Sequence, residues 1–344
     1  GWKVAVDSSL LVYQIVTAMR SGGNETVNAN GELTSHLTGI CNKVLGFLQN
    51  GIIPVFVFDG ASPEIKRITS ELRANNCRKA EEKLANLDPQ SDEYLRNHAR
   101  AFHATKEHFD EAKILLSLMG IPYVNAPGEA DVVCSWLASR RGSNKERYVV
   151  GVATEDSDML PLGTPYLLKN MISSVTCNHE FVLISLRRVL KQLNITMEQF
   201  VDTCVLLGTD YSKNIKGLGP VGIKTAMAKY KNLDTIIDVY RKKQSDDTIE
   251  EFETNVKCMH LAKEYFMNAL TELDESDFTV SEDQLQMKMC QKDNLIDFLV
   301  NKHNFDPANV IYKINKLVDY QKELGALESN DYEYESTNVK NKSG

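Results

Sequence analysis

The chain has 344 residues, 42% hydrophobic and 25% charged, with a formal net charge of −8. That length suits about two domains, or one large α/β unit with an appendage, and the composition is that of an ordinary globular protein. No apolar run reaches the roughly 18 residues of a membrane span, and no signal segment opens the chain. The seven cysteines, at 41, 77, 134, 177, 204, 258 and 290, include no C-x-x-C pair. An odd, scattered set reads as reduced thiols of a nuclear or cytoplasmic compartment, with neither a disulfide framework nor a zinc site. The negative charge argues at face value against a nucleic-acid partner, so the placing of the charges matters more than their sum.

WKVAVD and IIPVFVFD are short β-branched or aromatic runs, closed by Asp7 and Asp59. Between them HLTGICNKVLGFLQNG has helical periodicity, with Leu37, Ile40, Val44 and Leu48 on one face and Gly51 as a stop. Strand, helix, strand predicts a parallel sheet covered by helices. The alternation is broken at about 60–110, where Lys, Arg, Glu and Asn dominate: a helical insert poor at building a core. It resumes with a helix around HFDEAKILLSLMG, a strand at IPYV, a helix at GEADVVCSWLASR and a strand at YVVGVA. Near residue 200 the chain turns helical, and the polar stretch from about 325 reads as a disordered tail. The expected units are an α/β core at 1–199, a region of helices joined by a hairpin at 200–260, a helical completion of the core at 261–324, and a tail at 325–344.

Seven carboxylates sit where hydrophobic strands run out. Asp7 and Asp59 close the first two runs, Glu129 and Asp131 follow IPYVNAPG, Asp156 and Asp158 follow YVVGVAT, and Asp210 follows FVDTCVLLG. Ligands of a parallel α/β sheet bind at the carboxyl ends of its strands. Each Asp alone is more often a turn or helix cap. Together they make a site for two hard divalent ions, which take oxygen ligands and relieve the mutual repulsion. A phosphatase template, with D-x-D straight after the first strand, fails because Asp7-Ser8-Ser9 stands there.

The segment from Gly217 to Thr225 is not a phosphate-binding P-loop, because Ile223 adds one residue before Lys224 and no strand precedes it. It reads as a hairpin between two helices whose backbone N–H groups face a DNA phosphate, with Lys213, Lys216, Lys224, Lys229 and Lys231 around it. Lys66 and Arg73 lie two helical turns apart on one face of the insert. A solvated face is the usual reason for such a pair, but their place after Asp59 favours phosphate contact. Tyr13, on the first helix, is either a core tyrosine or a ring for base stacking. The histidines have no metal-ligand spacing.

VAVDSSLLVYQ, TSHLTGICNKVLGFLQNGIIPVFVFDG, LLSLMGIPYVNAPGEAD, ATEDSDMLPLG and QFVDTCVLLGTDYSKNIKGLGP, in this order, resemble the flap endonucleases among the XPG-type structure-specific 5′ nucleases. The resemblance implies a PIN-like parallel sheet with a helical arch and a helix–hairpin–helix-type DNA module. It implies metal-dependent cleavage of 5′ flaps at DNA junctions in replication and repair; the alternatives are a 5′→3′ exonuclease and a junction-binding protein that does not cut. Two Mg²⁺, replaceable by Mn²⁺, are expected on the seven carboxylates, with K⁺ at the hairpin. Lys66 and Arg73 match the family's catalytic cations. Tyr13, Arg20, Lys216, Gly217, Gly219 and Lys224 form the expected DNA-contacting set, in a monomer. Family chains usually begin some way upstream with a Gly-rich start, whereas here the first strand begins at residue 3. Asn76 and Cys77 stand where the arch is often basic, and Ile223 where the hairpin usually has a small residue, which predicts a looser hairpin. A sliding-clamp motif is not evident: Gln321 and Leu324 have its spacing but no aromatics follow.

Overall fold

The computed structural model describes residues 1–28, 31–61, 66–143, 145–171, 181–246 and 248–327, with only the backbone described for 67–73. Strands β1 (Trp2–Asp7), β2 (Ile52–Phe58), β3 (Tyr123–Asn125), β4 (Gly151–Ala153), β5 (Tyr166–Lys169) and β6 (Val182–Ser185) form one sheet in the order β3-β2-β1-β4-β5-β6. The first five run parallel, and β6 pairs antiparallel to β5. The order reverses direction at β1, which lies between β2 and β4. That is the point of an open α/β sheet where a crevice forms outside the carboxyl ends.

The pleat sorts the core into two layers. Val4, Val6, Phe56 and Phe58 face one hydrophobic cluster, and Ala5, Val55 and Val57 face the other. The first cluster takes in α1 (Ser8–Ser21), α2 (Ser35–Gln49) and α5 (Lys106–Leu118), and the helical face read from the sequence, Leu37, Ile40, Val44 and Leu48, is buried there. The C-terminal helices α12 (Lys292–Ile296) and α13 (Pro307–Glu323) add Leu295, Val310, Ile314 and Leu317 to the same cluster. Gln321 is fully buried; its amide donates to the carbonyls of Met119 and Lys288, and its oxygen accepts from Cys290 N–H. It is a clasp between α13 and the core, not the start of an exposed motif. The second layer is covered by α6 (Ala130–Ser139).

The insert forms α3 (Arg67–Leu84) and α4 (Asp92–Arg100). It is better anchored than its composition suggests. Ala80, Asn97 and Ala99 are buried, and the Cys77 thiol donates to the Ala101 carbonyl at 3.0 Å. A separate helical core holds α8 (Met197–Leu207), α9 (Pro220–Tyr230), α10 (Leu233–Arg241) and the long α11 (Ile249–Glu275), which runs unbroken across residue 260. The short α7 (Leu186–Leu193) links this unit to the sheet. Residues 328–344, most of the expected tail, lie outside the described residues.

Candidate metal centre and nucleic-acid interface

Asp7 ends β1 and caps α1, its Oδ1 accepting from the N–H of Ser9 and Leu10 at 2.9 and 3.1 Å. One residue beyond β2, Asp59 accepts from Ala130 N–H at 2.7 Å, at the start of α6. Gly60 makes this approach feasible: a Cβ there would meet the Ala126 carbonyl oxygen at 2.2 Å, and Gly60 N–H donates to the Gly128 carbonyl. Glu129 is the N-cap of α6, and Asp131 lies in its first turn. The positive end of that helix therefore faces the acidic edge. After β4, Asp156 and Asp158 alternate with residues directed elsewhere. Glu155 accepts from Asn170 N–H and Ser157 from the Lys169 ammonium, both at 2.8 Å. Asp158 N–H in turn donates to Asp156 Oδ1 at 2.8 Å. Asp210 is the exception to the strand-end pattern: the run before it is helix α8, because Thr196 caps it and its apolar residues repeat at helical spacing.

These seven are electrostatic neighbours. Burial, then repulsion from Asp59, pushes the Asp7 carboxyl up to about 7. Burial, then Asp7 and Asp156, raise Asp131 well above the usual range. Burial, then Asp156 and Asp210, push Asp158 up to about 7. Asp131 Oδ1 is buried with no hydrogen-bond partner among the described residues. A buried carboxylate oxygen left unpaired is costly, and a cation is the partner that suits it. Among the described residues, no three His, Cys, Asp or Glu side chains close into a ready cage. The donor chemistry, all carboxylate oxygen and short of positive charge, nonetheless fits hard divalent ions.

The Lys66 ammonium lies 2.6 Å from Glu129 Oε1. Burial works against its charge, but Glu129, Asp131 and Asp59 outweigh it and raise its pKa above the ordinary lysine value. The Arg73 side chain lies outside the described residues; its backbone belongs to α3. Tyr13 is exposed beside Phe102, ring centroids 6.1 Å apart. Arg20 binds Glu25 at 2.6 Å and the His98 carbonyl at 3.2 Å, with its guanidinium over Phe102. In this structure it fastens α1 to α4.

Lys216, Gly217, Gly219 and Lys224 are all exposed at the hairpin. Gly217 has φ +80°, a left-handed turn that favours glycine, and Gly219 caps α9 with open space where a Cβ would stand. The expected looseness is not found. Ile223 is buried against the helical core with Ile215 and Leu218, so its larger side chain pins the hairpin. Asn255 of α11 adds a clasp, accepting from Lys213 N–H at 3.0 Å and donating to its carbonyl at 2.9 Å. Sequence reasoning missed Asn255, and also Tyr211 and Tyr265, whose hydroxyls donate to Glu129 Oε2 at 2.7 and 2.9 Å. Only the adjacency of Tyr211 to Asp210 hinted at any of them.

An acidic carboxyl edge at the switch point of a parallel sheet, beside a helical hairpin edged with exposed lysines, suits the chemistry of a nuclease, a phosphodiester hydrolase. Residues 1–81 match the XPG N-terminal domain and residues 120–210 the XPG I-region. The chain is 39% identical over 277 residues to flap endonuclease 1-A of Xenopus laevis, covering 79% of this chain and 70% of the relative. Against human flap endonuclease 1 it is 39% identical over 242 residues, 69% of this chain and 61% of that relative, so it spans less than two thirds of the human length. Flap endonuclease-1 from Methanococcus jannaschii superposes with a TM-score of 0.65 at 28% identity, over 94% of this chain and 93% of that one. The catalytic core of Rad2 in complex with DNA substrate superposes with a TM-score of 0.61 at 26% identity, over 92% of both chains. The chain belongs to the XPG-type nuclease family, among the flap endonucleases.

Proposed function

We propose that this chain is a structure-specific DNA endonuclease that removes 5′ flaps at junctions, serving DNA replication and repair, as a monomer in a nuclear or cytoplasmic compartment. The observation that carries this reading is the row of seven mutually repelling carboxylates, with Asp131 Oδ1 buried and unpaired among the described residues. Asp7, Asp59, Glu129, Asp131, Asp156, Asp158 and Asp210 would hold two Mg²⁺, or Mn²⁺ in their place. Bound there, the ions supply Lewis acidity toward the scissile phosphate and a lowered pKa for the attacking water.

The chain's own residues do the rest. Lys66, released from Glu129, and Arg73 offset charge that develops on the phosphate. Tyr13 offers an exposed ring on which a base stacks. The hairpin at Lys216–Lys224, with its open glycines and the α9 N-terminus, grips the duplex backbone, and its carbonyls would hold K⁺. The relatives' printed names and the DNA bound by the Rad2 core support this assignment.

The test is Mg²⁺-dependent release of a labelled 5′ flap from a junction, beside the same assay on blunt duplex. Release of the intact flap is expected. Mononucleotides alone from blunt duplex would make the chain an exonuclease, and tight binding without cleavage would make it a junction-binding protein.

A further inference from the structure

We propose that Tyr265 is a positioning residue for this reaction, fixing Glu129 so that its Oε1 is the oxygen left to take a cation. The inference rests on the reading of Glu129 as a metal ligand. Glu129 Oε2 accepts two hydroxyl donors, Tyr211 at 2.7 Å and Tyr265 at 2.9 Å. Two donors fill the lone pairs of one carboxylate oxygen. Among the described residues Glu129 Oε1 meets Lys66, a partner that an entering cation could replace while leaving the other contacts in place. The Glu129 backbone is held as well, since Ala130 N–H is bound by Asp59. Glu129 is 5% exposed, so no bulk water competes for these bonds.

Tyr265 comes from far away in the chain and from a rigid support. It is 136 positions beyond Glu129, on α11, whose Met259, Ala262 and Phe266 are buried in the helical core. Its ring packs against Tyr211 and Phe266, with centroids 4.8 and 5.8 Å away. A hydroxyl on so fixed a ring selects one rotamer of the carboxylate it meets. The same helix carries Asn255, the clasp of the hairpin, ten residues or about 15 Å earlier. Glu129 is thus seated by the unit that carries the hairpin, and not by the sheet alone. An outer partner of a metal ligand matters through affinity for the metal, typically by about 10–100-fold.

Tyr265→Phe in the full chain removes the hydroxyl and keeps the ring. The Mg²⁺ concentration for half-maximal flap cleavage should rise about tenfold, with the rate recovering at saturating Mg²⁺. Calorimetric binding of Mn²⁺ to the DNA-free protein should weaken by the same factor, while the melting temperature without metal stays within a few degrees. A loss of rate equal at all Mg²⁺ concentrations, or unchanged Mn²⁺ binding, would overturn the proposal. The double variant guards against a folding defect: in a Glu129→Gln background, Tyr265→Phe should change Mn²⁺ binding no further, whereas additive losses would show a merely structural role. If the wild-type chain cuts no flap in Mg²⁺, it is the functional reading that fails, and the Mn²⁺ titration still judges Tyr265 by itself.

Discussion

Lys66 and Glu129 form an ion pair of 2.6 Å across the junction of the helical insert and the acidic edge. The lysine expected at the phosphate is, in the free chain, the counter-ion of a carboxylate expected to hold metal. Both roles are compatible if cation entry at Glu129 frees Lys66 toward the substrate. Lys66→Ala should then strengthen Mn²⁺ binding to the DNA-free protein several-fold, since a competing cation is gone. The same variant should lower single-turnover cleavage by about a hundredfold, the scale of a lost transition-state contact. Calorimetry beside rapid-quench rates checks this, and a fall in both would mean that Lys66 helps to build the metal site.

The acidic edge should make the metal-free protein more stable in mild acid. Burial and repulsion push Asp7 and Asp158 up to about 7, against 3.8 for an ordinary aspartate. Between those values the folded state holds protons that the unfolded chain has lost, so stability falls as pH rises through the window. Carboxylates held low by a partner, such as Asp274 by Arg140, lose their stabilisation only in stronger acid. The melting temperature in chelator should drop from about pH 5 to about pH 7.5, and Mg²⁺ should flatten the drop. Asp158→Asn should reduce the slope and cut cleavage by at least about a hundredfold, leaving junction binding intact or tighter. A metal-free melting curve that is level across this range would remove the electrostatic account.

On the arch, α3 begins directly after Lys66, and Arg73 follows two helical turns along. Ala74 is exposed. A proline there breaks the helix interior without touching a charge, at about 3 kcal/mol or more. Ala74→Pro and Arg73→Ala should each lower single-turnover cleavage by roughly a hundredfold. Junction affinity, which we assign to the hairpin, should change little in either. Normal cutting by Ala74→Pro would reduce the arch to a solvated excursion.

At the hairpin, the Lys224 charge and the Asn255 clasp should separate. Lys224→Ala should weaken duplex binding and reduce the salt slope by about 1, as expected for one lost phosphate contact. Asn255→Ala removes two bonds to the Lys213 backbone and no charge. It should weaken binding with the salt slope intact. Titrations at several salt concentrations distinguish the two, and equal slopes for both variants would exclude Lys224 from the phosphate.

Local chemistry determined much of this protein before folding was considered. β-branched runs closed by Asp7 and Asp59, with an amphipathic helix between, read as a parallel βαβ unit, because strand and helix periods differ and a helical crossover returns the second strand in the direction of the first; the crossover holds α1 as well as α2. Six of the seven carboxylates were legible because strand ends are marked by where apolar runs stop. The run before Asp210 reads both as an apolar strand end and as part of the helical stretch near residue 200, since a short apolar run fits either element; it folds as helix α8. The antiparallel β6 was not read, being short, exposed on Val182 and Leu183, and without clean alternation. Ile223 looked like a misfit until its side chain met Ile215 and Leu218. Only the tertiary structure decided how the acids are held: Lys66 on one oxygen of Glu129, Tyr211 and Tyr265 on the other, Asn255 behind the hairpin. Contacts spanning 42 to 136 positions leave no periodic trace, because each depends on the packing of whole helices and not on the residues beside it.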